Sequence, residues 1–171
     1  MTSARSNPED ARRADALVKG WLSAIARGDI ARALEDIYAR AASEIESRGP
    51  ACWASGRCCN FERTGHRLYV TGLEAAYAIA RSARPVTRGE IDAARARGGC
   101  PFQERNLCGI HTIKPLGCRV YFCDRSAQSW QQDLSERMLA DIRTLHEANA
   151  IEYRYAEWRA MLEMFAPPHI D

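Results

Sequence analysis

The placement of the cysteines constrains this chain more than any other feature of its sequence. All seven lie in one part of the chain, and none lies in residues 1–51 or 124–171. They are Cys52, Cys58, Cys59, Cys100, Cys108, Cys118 and Cys123. A random distribution would scatter them, so the clustering requires a cause. The two usual causes are disulfide bonds and metal binding.

The N-terminal segment indicates which of these two causes applies. Residues 1–15 are polar and contain neither an apolar core nor a small-residue cleavage site, so they do not form a secretory signal. We therefore expect a cytoplasmic protein, in a reducing compartment where disulfides are disfavoured. An odd number of cysteines also argues against a complete disulfide framework. Thiolate ligation of a metal is the explanation that remains.

The composition is that of one globular domain that binds neither nucleic acid nor membrane. The chain has 171 residues, 46% hydrophobic and 27% charged, which fits a single domain of about 100–200 residues. Its net charge is +2 and its acidic and basic residues are interleaved, so the charge gives no reason to expect a nucleic-acid partner. No run of about 18 apolar residues is present, so no membrane span is expected.

Hydrophobic periodicity and capping motifs predict helices on both sides of the cysteine region. Leu17, Trp21 and Ile25 recur at helical spacing in a first helix. A second helix begins after the interruption at Gly28, with Asp29 as its N-cap. Further helices are predicted by capping boxes, in which a threonine or serine is followed three residues later by a glutamate or glutamine. These are Thr71 with Glu74, Thr87 with Glu90, and, as a third candidate, Ser129 with Gln132.

The resulting prediction is a mainly α protein. We expect a flexible tail over residues 1–10 and a single small helical domain over residues 11–171, whose last helix extends from Ile151 to Phe165. Two irregular cysteine-bearing loops, within a cysteine-cluster core at residues 51–125, would surround a metal centre. The two helices predicted between these loops allow the chain to return the second loop to the first.

The choice of metal follows from the chemistry of sulfur ligands. Thiolates select zinc, Cu(I) or iron–sulfur clusters, whereas magnesium and calcium prefer oxygen. Only Cys118 and Cys123 approach the paired spacing that is typical of zinc. The adjacent Cys58 and Cys59 side chains point in different directions, and they fit two corners of a cluster more easily than one zinc ion. An iron–sulfur cluster, such as a 4Fe–4S cluster, and zinc therefore both remain open.

Two further residues of the cysteine region are candidates for the site. His111 offers a nitrogen ligand of the kind that zinc accepts, although it can equally well cap or pack its loop. Arg119 lies beside Cys118, and we expect it to bind the cofactor by donating hydrogen bonds to negatively charged sulfur. Two alternatives stay open for the cysteines themselves, namely a role as small hydrophobic core residues and a redox switch on the adjacent pair.

Four short segments carry a resemblance to a known family. They are Cys52-x5-Cys58-Cys59, Cys100-Pro101-Phe102, Cys108-Gly109-Ile110-His111 and Lys114-Pro115-x2-Cys118-Arg119. They resemble the YkgJ-like bacterial cysteine-cluster proteins, a family described as a zinc- or iron-chelating domain. The resemblance implies six ligands, which are Cys52, Cys58, Cys59, Cys100, Cys108 and Cys118.

The chain also departs from the family pattern at three positions. Ser55 stands where the family has a further cysteine, His111 where it has tyrosine, and Lys114 where it has arginine. Cys123 lies beyond the family motif. We add Cys123 to the predicted ligands because it is available to replace the thiolate that is missing at Ser55.

Two expectations of function follow. The first is a metal-binding protein that holds an iron–sulfur cluster or zinc and serves a redox reaction or the modification of a protein or peptide. The second is a structural zinc module on a helical scaffold for partner binding. Some relatives of the family resemble protein lysine methylases that act on flagellin, which implies an iron–sulfur enzyme. The sequence has no glycine-rich nucleotide loop, so whether this chain is catalytic stays open.

Overall fold

The computed structural model describes residues 7–50, 56–122 and 127–166. These residues are mainly helical, which confirms the predicted fold class at that level. No helix in this part of the chain is long and apolar enough to cross a membrane. The helices are α1 (Pro8–Ala26), α2 (Gly28–Arg48), α3 (Phe61–Thr64), α4 (Gly72–Arg81), α5 (Arg88–Ala96), α6 (Leu116–Val120), α7 (Gln128–Ala148) and α8 (Trp158–Phe165). The strands are β1 (Tyr69–Thr71), β2 (Gln103–Glu104), β3 (Leu107–Cys108) and β4 (Tyr155–Glu157).

The first two helices form as a pair, with boundaries that differ slightly from those predicted. Helix α1 begins at Pro8, earlier than expected, because the Asn7 side chain accepts a hydrogen bond from the Glu9 amide at 3.2 Å. The predicted cap at Asp29 is wrong. Arg27 is the N-cap of α2 and makes no side-chain cap, while Asp29 lies in the first helical turn and pairs with the Arg27 guanidinium at 2.7 Å.

The core forms where α1 packs on α4 and α2 packs on α7. Trp21 of α1 is fully buried, and its indole Nε1 donates to the Glu152 carbonyl at 2.8 Å. The indole lies so close to Gly72 that a Cβ atom at that position would come within 2.1 Å of the ring. Helix α4 therefore begins with glycine because the largest side chain of α1 occupies the space beside it.

Two predictions for the C-terminal part of the described chain are wrong. Helix α7 begins at Gln128 after an N-cap at Ala127, so Ser129 lies inside the helix and does not cap it. The last helix begins at Trp158 rather than Ile151. Residues 155–157 form β4, which pairs antiparallel with β1, and the Glu157 side chain accepts from the Ala160 amide at 3.0 Å. This cap fixes the start of α8.

The predicted capping box at Thr71 and Glu74 is confirmed. The Thr71 hydroxyl accepts from the Glu74 amide at 3.3 Å, and the Glu74 carboxylate accepts from the Thr71 amide at 2.9 Å. The box at Thr87 and Glu90 is also confirmed, at the start of α5. The two boxes differ in burial, because Glu74 is 1% exposed whereas the Glu90 side chain is 40% exposed.

The buried Glu74 carboxylate makes two further contacts that join separate parts of the chain. It accepts from the Leu116 amide at the start of α6 at 2.8 Å, and from the Tyr38 hydroxyl of α2 at 3.4 Å. Burial raises the pKa of Glu74, while these hydrogen bonds oppose the rise. One carboxylate thereby fixes α2, α4 and α6 relative to one another.

We predict that Glu74→Ala lowers the free energy of unfolding by about 3 kcal/mol, because it leaves several buried donors without an acceptor. Glu90→Ala is the matched control, since it removes the same motif from a solvent-accessible helix start. It should cost about 1 kcal/mol. Urea denaturation of both variants measures the difference, and equal losses would show that Glu74 acts only as a helix cap.

Candidate metal centre

Five of the seven cysteines lie within the described residues. They come from four places in the fold. Cys58 and Cys59 form part of a 3₁₀ turn over Arg57–Cys59, Cys100 follows α5, Cys108 lies in β3, and Cys118 lies in α6. All five are free thiols. The predicted ligands Cys52 and Cys123 lie outside the described residues, as does Ser55.

Backbone hydrogen bonds hold the two cysteine segments together. The Cys100 amide donates to the Cys59 carbonyl at 2.9 Å, and the Glu62 amide donates to the Gly98 carbonyl at 3.1 Å. These two bonds join the turn that carries Cys58 and Cys59 to the segment that follows α5. The described parts of the two cysteine segments therefore lie side by side.

A short hairpin brings Cys108 to the same place. Strands β2 and β3 pair antiparallel with Gln103 opposite Cys108, and the turn between them uses Arg105 and Asn106 at φ values of 47° and 64°. The Gln103 side chain donates to the Gly56 carbonyl at 3.1 Å. The hairpin is therefore bonded directly to the residue that begins the Cys58–Cys59 turn.

The Cys59 thiol is the point at which the other thiols meet. The pKa of Cys59 lies far above its ordinary value. The largest cause is the interaction with the Cys100 thiol, followed by those with Cys108 and Cys58. Burial adds to the rise, since Cys59 is only 4% exposed. Cys59 is thus the thiol of this group whose ionisation is most strongly disfavoured.

The thiols of Cys58, Cys100 and Cys108 are correspondingly more acidic. The hydrogen bond from Cys59 lowers the pKa of Cys58 to about 6 and that of Cys108 to about 7, and the nearby Lys114 ammonium lowers both further. The same donor lowers the pKa of Cys100, against the opposing effect of burial. A thiolate is the form of cysteine that binds metal, so these shifts favour ligation.

Cys118 lies in the same electrostatic environment without sharing these hydrogen bonds. Burial of its thiol raises the pKa well above the ordinary value, and the charges on Cys100 and Cys108 raise it further. The Lys114 ammonium opposes these effects. These effects place Cys118 near Cys58, Cys100 and Cys108, two residues along α6 from Leu116, whose amide donates to Glu74.

Within residues 7–50, 56–122 and 127–166, no group of three or more His, Cys, Asp or Glu side chains is arranged so that it could hold a metal ion. Coordination would require the contacts with Cys59 to be replaced by bonds to metal. Thiols with a neighbouring cation can make this replacement, because the cation favours the thiolate form and soft metals bind thiolates. The metal centre therefore stays a prediction.

The two other predicted site residues have their own contacts. The Arg119 guanidinium lies 4.1 Å from the centre of the Tyr38 ring and donates to the Thr112 carbonyl at 2.9 Å. Its Nε atom is buried and has no hydrogen-bond partner. The His111 Nε2 atom lies 3.4 Å from the Lys114 ammonium, whose charge lowers the pKa of His111. Cofactor binding by Arg119 and ligation by His111 stay predictions.

Sequence reasoning missed two residues near the thiols. In the sequence, Lys114 is only a departure from the family pattern, although a lysine close to cysteines in the chain is itself a signal of thiolate stabilisation. Trp158 is the second, and its buried ring packs against Phe102, two residues from Cys100. No sequence signal links Trp158 to Cys100, because the two residues are far apart in the chain.

Comparison with known proteins adds no family to this description. The chain matches no protein-family model, no curated protein and no solved structure. The resemblance to the cysteine-cluster family therefore stays a prediction from the motif residues.

We predict that Gly56→Ala disrupts the contact between the Cys58–Cys59 turn and the hairpin. Gly56 has φ +65°, and a Cβ atom there would lie 2.2 Å from the Asn106 carbonyl oxygen. Gly65→Ala is the matched control, because Gly65 has φ +68° with nothing within 4 Å. The control should cost about 1 kcal/mol from backbone strain alone, and Gly56→Ala at least about 2 kcal/mol more. Urea denaturation measures both, and equal costs would contradict the described packing.

Proposed function

We propose that this chain is a metal-binding protein that holds an iron–sulfur cluster or zinc through its cysteine cluster. The ligands would come from Cys58, Cys59, Cys100, Cys108 and Cys118, together with Cys52 and Cys123. The proposal includes the resemblance to the YkgJ-like family, whose motif contains six of these seven residues.

One observation carries the proposal. The Cys59 thiol interacts with thiols from its own turn, from the segment after α5 and from the β2–β3 hairpin. A cysteine that serves as an ordinary core residue packs against aliphatic side chains and is not expected to contact several other thiols. A group of free thiols from separate segments, with a lysine that favours their ionised form, is typical of a metal site.

Both metal alternatives remain within the proposal because cysteine thiolates bind zinc and iron–sulfur clusters alike. Zinc takes four ligands in a tetrahedron, and the five described cysteines exceed that number. A cluster uses four thiolates at irregular spacing, which accommodates the adjacent Cys58 and Cys59. Visible absorption and the content of iron, zinc and sulfide distinguish the two after anaerobic purification.

The position of the cysteines suggests that a bound metal would stabilise the fold, whether or not it also takes part in a reaction. The segments that carry Cys58, Cys59 and Cys100 consist of turns and short helices, and the bonds from the Cys100 amide to Cys59 and from the Glu62 amide to Gly98 join them. A metal there would cross-link these segments, and its binding free energy would add to the stability of the fold. A redox or protein-modifying role would use the same metal centre. A protein-modifying reaction would also require an open coordination position on the metal.

We predict that Cys59→Ser weakens metal binding by more than about 100-fold, since even residues outside the ligand shell contribute about 10–100-fold. The variant should also lose the stabilisation that metal gives the wild type, because binding and folding are coupled. Metal content is measured on protein purified without oxygen, and stability is measured with and without a chelator.

Ile91→Val is the control for this experiment. Ile91 is fully buried in α5, and the substitution costs about 0.5–1.5 kcal/mol without removing a thiol. It should keep the metal content and the response to chelator of the wild type. Equal metal content in wild type and Cys59→Ser would exclude Cys59 as a ligand. An absence of thiolate-bound metal in the wild type would refute the proposed function.

A further inference from the structure

The positive charge of this protein is concentrated in the part that carries the described thiols. Residues 56–122 contain eleven lysines and arginines but five aspartates and glutamates, whereas residues 7–50 and 127–166 together contain eleven basic and fifteen acidic residues. The five acidic residues of the middle part are also occupied within the fold. Four of them form ion pairs with arginines, and the fifth is the buried Glu74. The nearly neutral charge of the whole chain therefore conceals a basic middle part.

Most of the basic side chains in this middle part have no acidic partner. Four of the eleven pair with carboxylates, and the other seven form no ion pair within the described residues. These seven are Arg57, Arg63, Arg67, Arg97, Arg105, Lys114 and Arg119. Unpaired cations that lie close together raise the positive potential of a surface and attract anionic groups.

Two of these arginines lie on either side of one close contact. Gly56 packs so tightly on Asn106 that a Cβ atom on the glycine would lie 2.2 Å from the Asn106 carbonyl oxygen. Arg57 follows the glycine in the Cys58–Cys59 turn, and Arg105 precedes the asparagine in the β2–β3 hairpin. The contact therefore brings the backbones of Arg57 and Arg105 together, although the two residues are far apart in the chain.

A second close contact adds Arg97 to this pair. A Cβ atom on Gly99 would lie 3.1 Å from the Cys59 carbonyl oxygen and 3.7 Å from the Arg97 Nε atom. Cys59 belongs to the same short turn as Arg57, so Arg97 approaches that turn from the segment after α5. The side chains of Arg57, Arg97 and Arg105 are all exposed, and we call these three residues the basic patch.

An aliphatic side chain lies beside the basic patch. Leu107 is 61% exposed and follows Arg105 by two residues in the same hairpin. A single exposed leucine is ordinary, but this one belongs to the hairpin that contacts the Cys58–Cys59 turn. Surfaces for single-stranded nucleic acids combine cations with aromatic rings that stack on bases, and residues 56–60 and 103–108 contain no aromatic residue. This combination favours a polypeptide that offers both carboxylates and an apolar side chain.

We propose that the basic patch and Leu107 form the docking surface for an acidic segment of a partner protein. Carboxylates of that segment would pair with the exposed guanidinium groups, and one of its apolar side chains would pack on Leu107. The inference goes beyond the proposed function, because the surface requires no bound metal. Since Leu107 precedes Cys108 in β3, a partner docked there would lie beside the thiols.

The test uses the reduced full-length chain and a fluorescein-labelled peptide in which glutamates surround one central leucine. Fluorescence anisotropy should show saturable binding that weakens as NaCl screens the charges. Arg57→Gln combined with Arg105→Gln should weaken binding about 10-fold, because two exposed ion pairs are lost. Leu107→Ser should weaken it about fivefold through the lost apolar contact. In the ¹⁵N-labelled wild type, the same peptide should shift the amide resonances of the basic patch and Leu107, which does not depend on the folding of any variant.

Arg12→Gln combined with Arg13→Gln is the matched control, because it removes the same charge from two exposed arginines of α1 that form no ion pair within the described residues. It should keep the affinity within about twofold of the wild type. An absence of saturable binding would overturn the inference. Equal losses in the two double variants, or unchanged affinity in Leu107→Ser, would also overturn it, since binding would then follow charge alone. Single-stranded DNA that binds more tightly than the peptide would indicate a nucleic-acid surface instead. All of these outcomes leave the proposed metal site intact.

Discussion

The buried carboxylate of Glu74 is the interaction on which the arrangement of this protein depends. It completes the capping box that starts α4, and it also accepts from the Leu116 amide and the Tyr38 hydroxyl. A carboxylate with 1% exposure is unfavourable unless its oxygens are fully hydrogen-bonded, and here donors from three parts of the chain converge on it. Its position therefore dictates where α6, with Cys118, lies relative to the helical core.

Separate contacts, which do not involve Glu74, hold the cysteine region together. Gly56 allows the hairpin to approach the Cys58–Cys59 turn, and the Cys100 amide is bonded to the Cys59 carbonyl. As a result, thiols that are distant in sequence contact one another through Cys59. These segments have little regular secondary structure, so the proposed metal would supply the cross-links that helices supply elsewhere in the protein.

The sequence predicted the parts of this structure that depend on local signals. Helical periodicity and the two threonine caps identified most of α1, α2, α4 and α5, because those signals act within one helix. The start of α8 was predicted wrongly, since β4 forms only through pairing with the distant strand β1. The cysteine clustering indicated a site, but the central position of Cys59 depends on tertiary contacts that spacing does not encode.

X-ray absorption at the metal edge tests the central claim most directly, because it counts the atoms bound to the metal without assuming which metal it is. We expect the metal in anaerobically purified or reconstituted protein to have a first shell dominated by sulfur, with about four sulfur atoms at about 2.3 Å. For iron, a second shell of iron neighbours would identify a cluster. A first shell of nitrogen and oxygen only, or a protein that takes up neither iron nor zinc, would contradict the account.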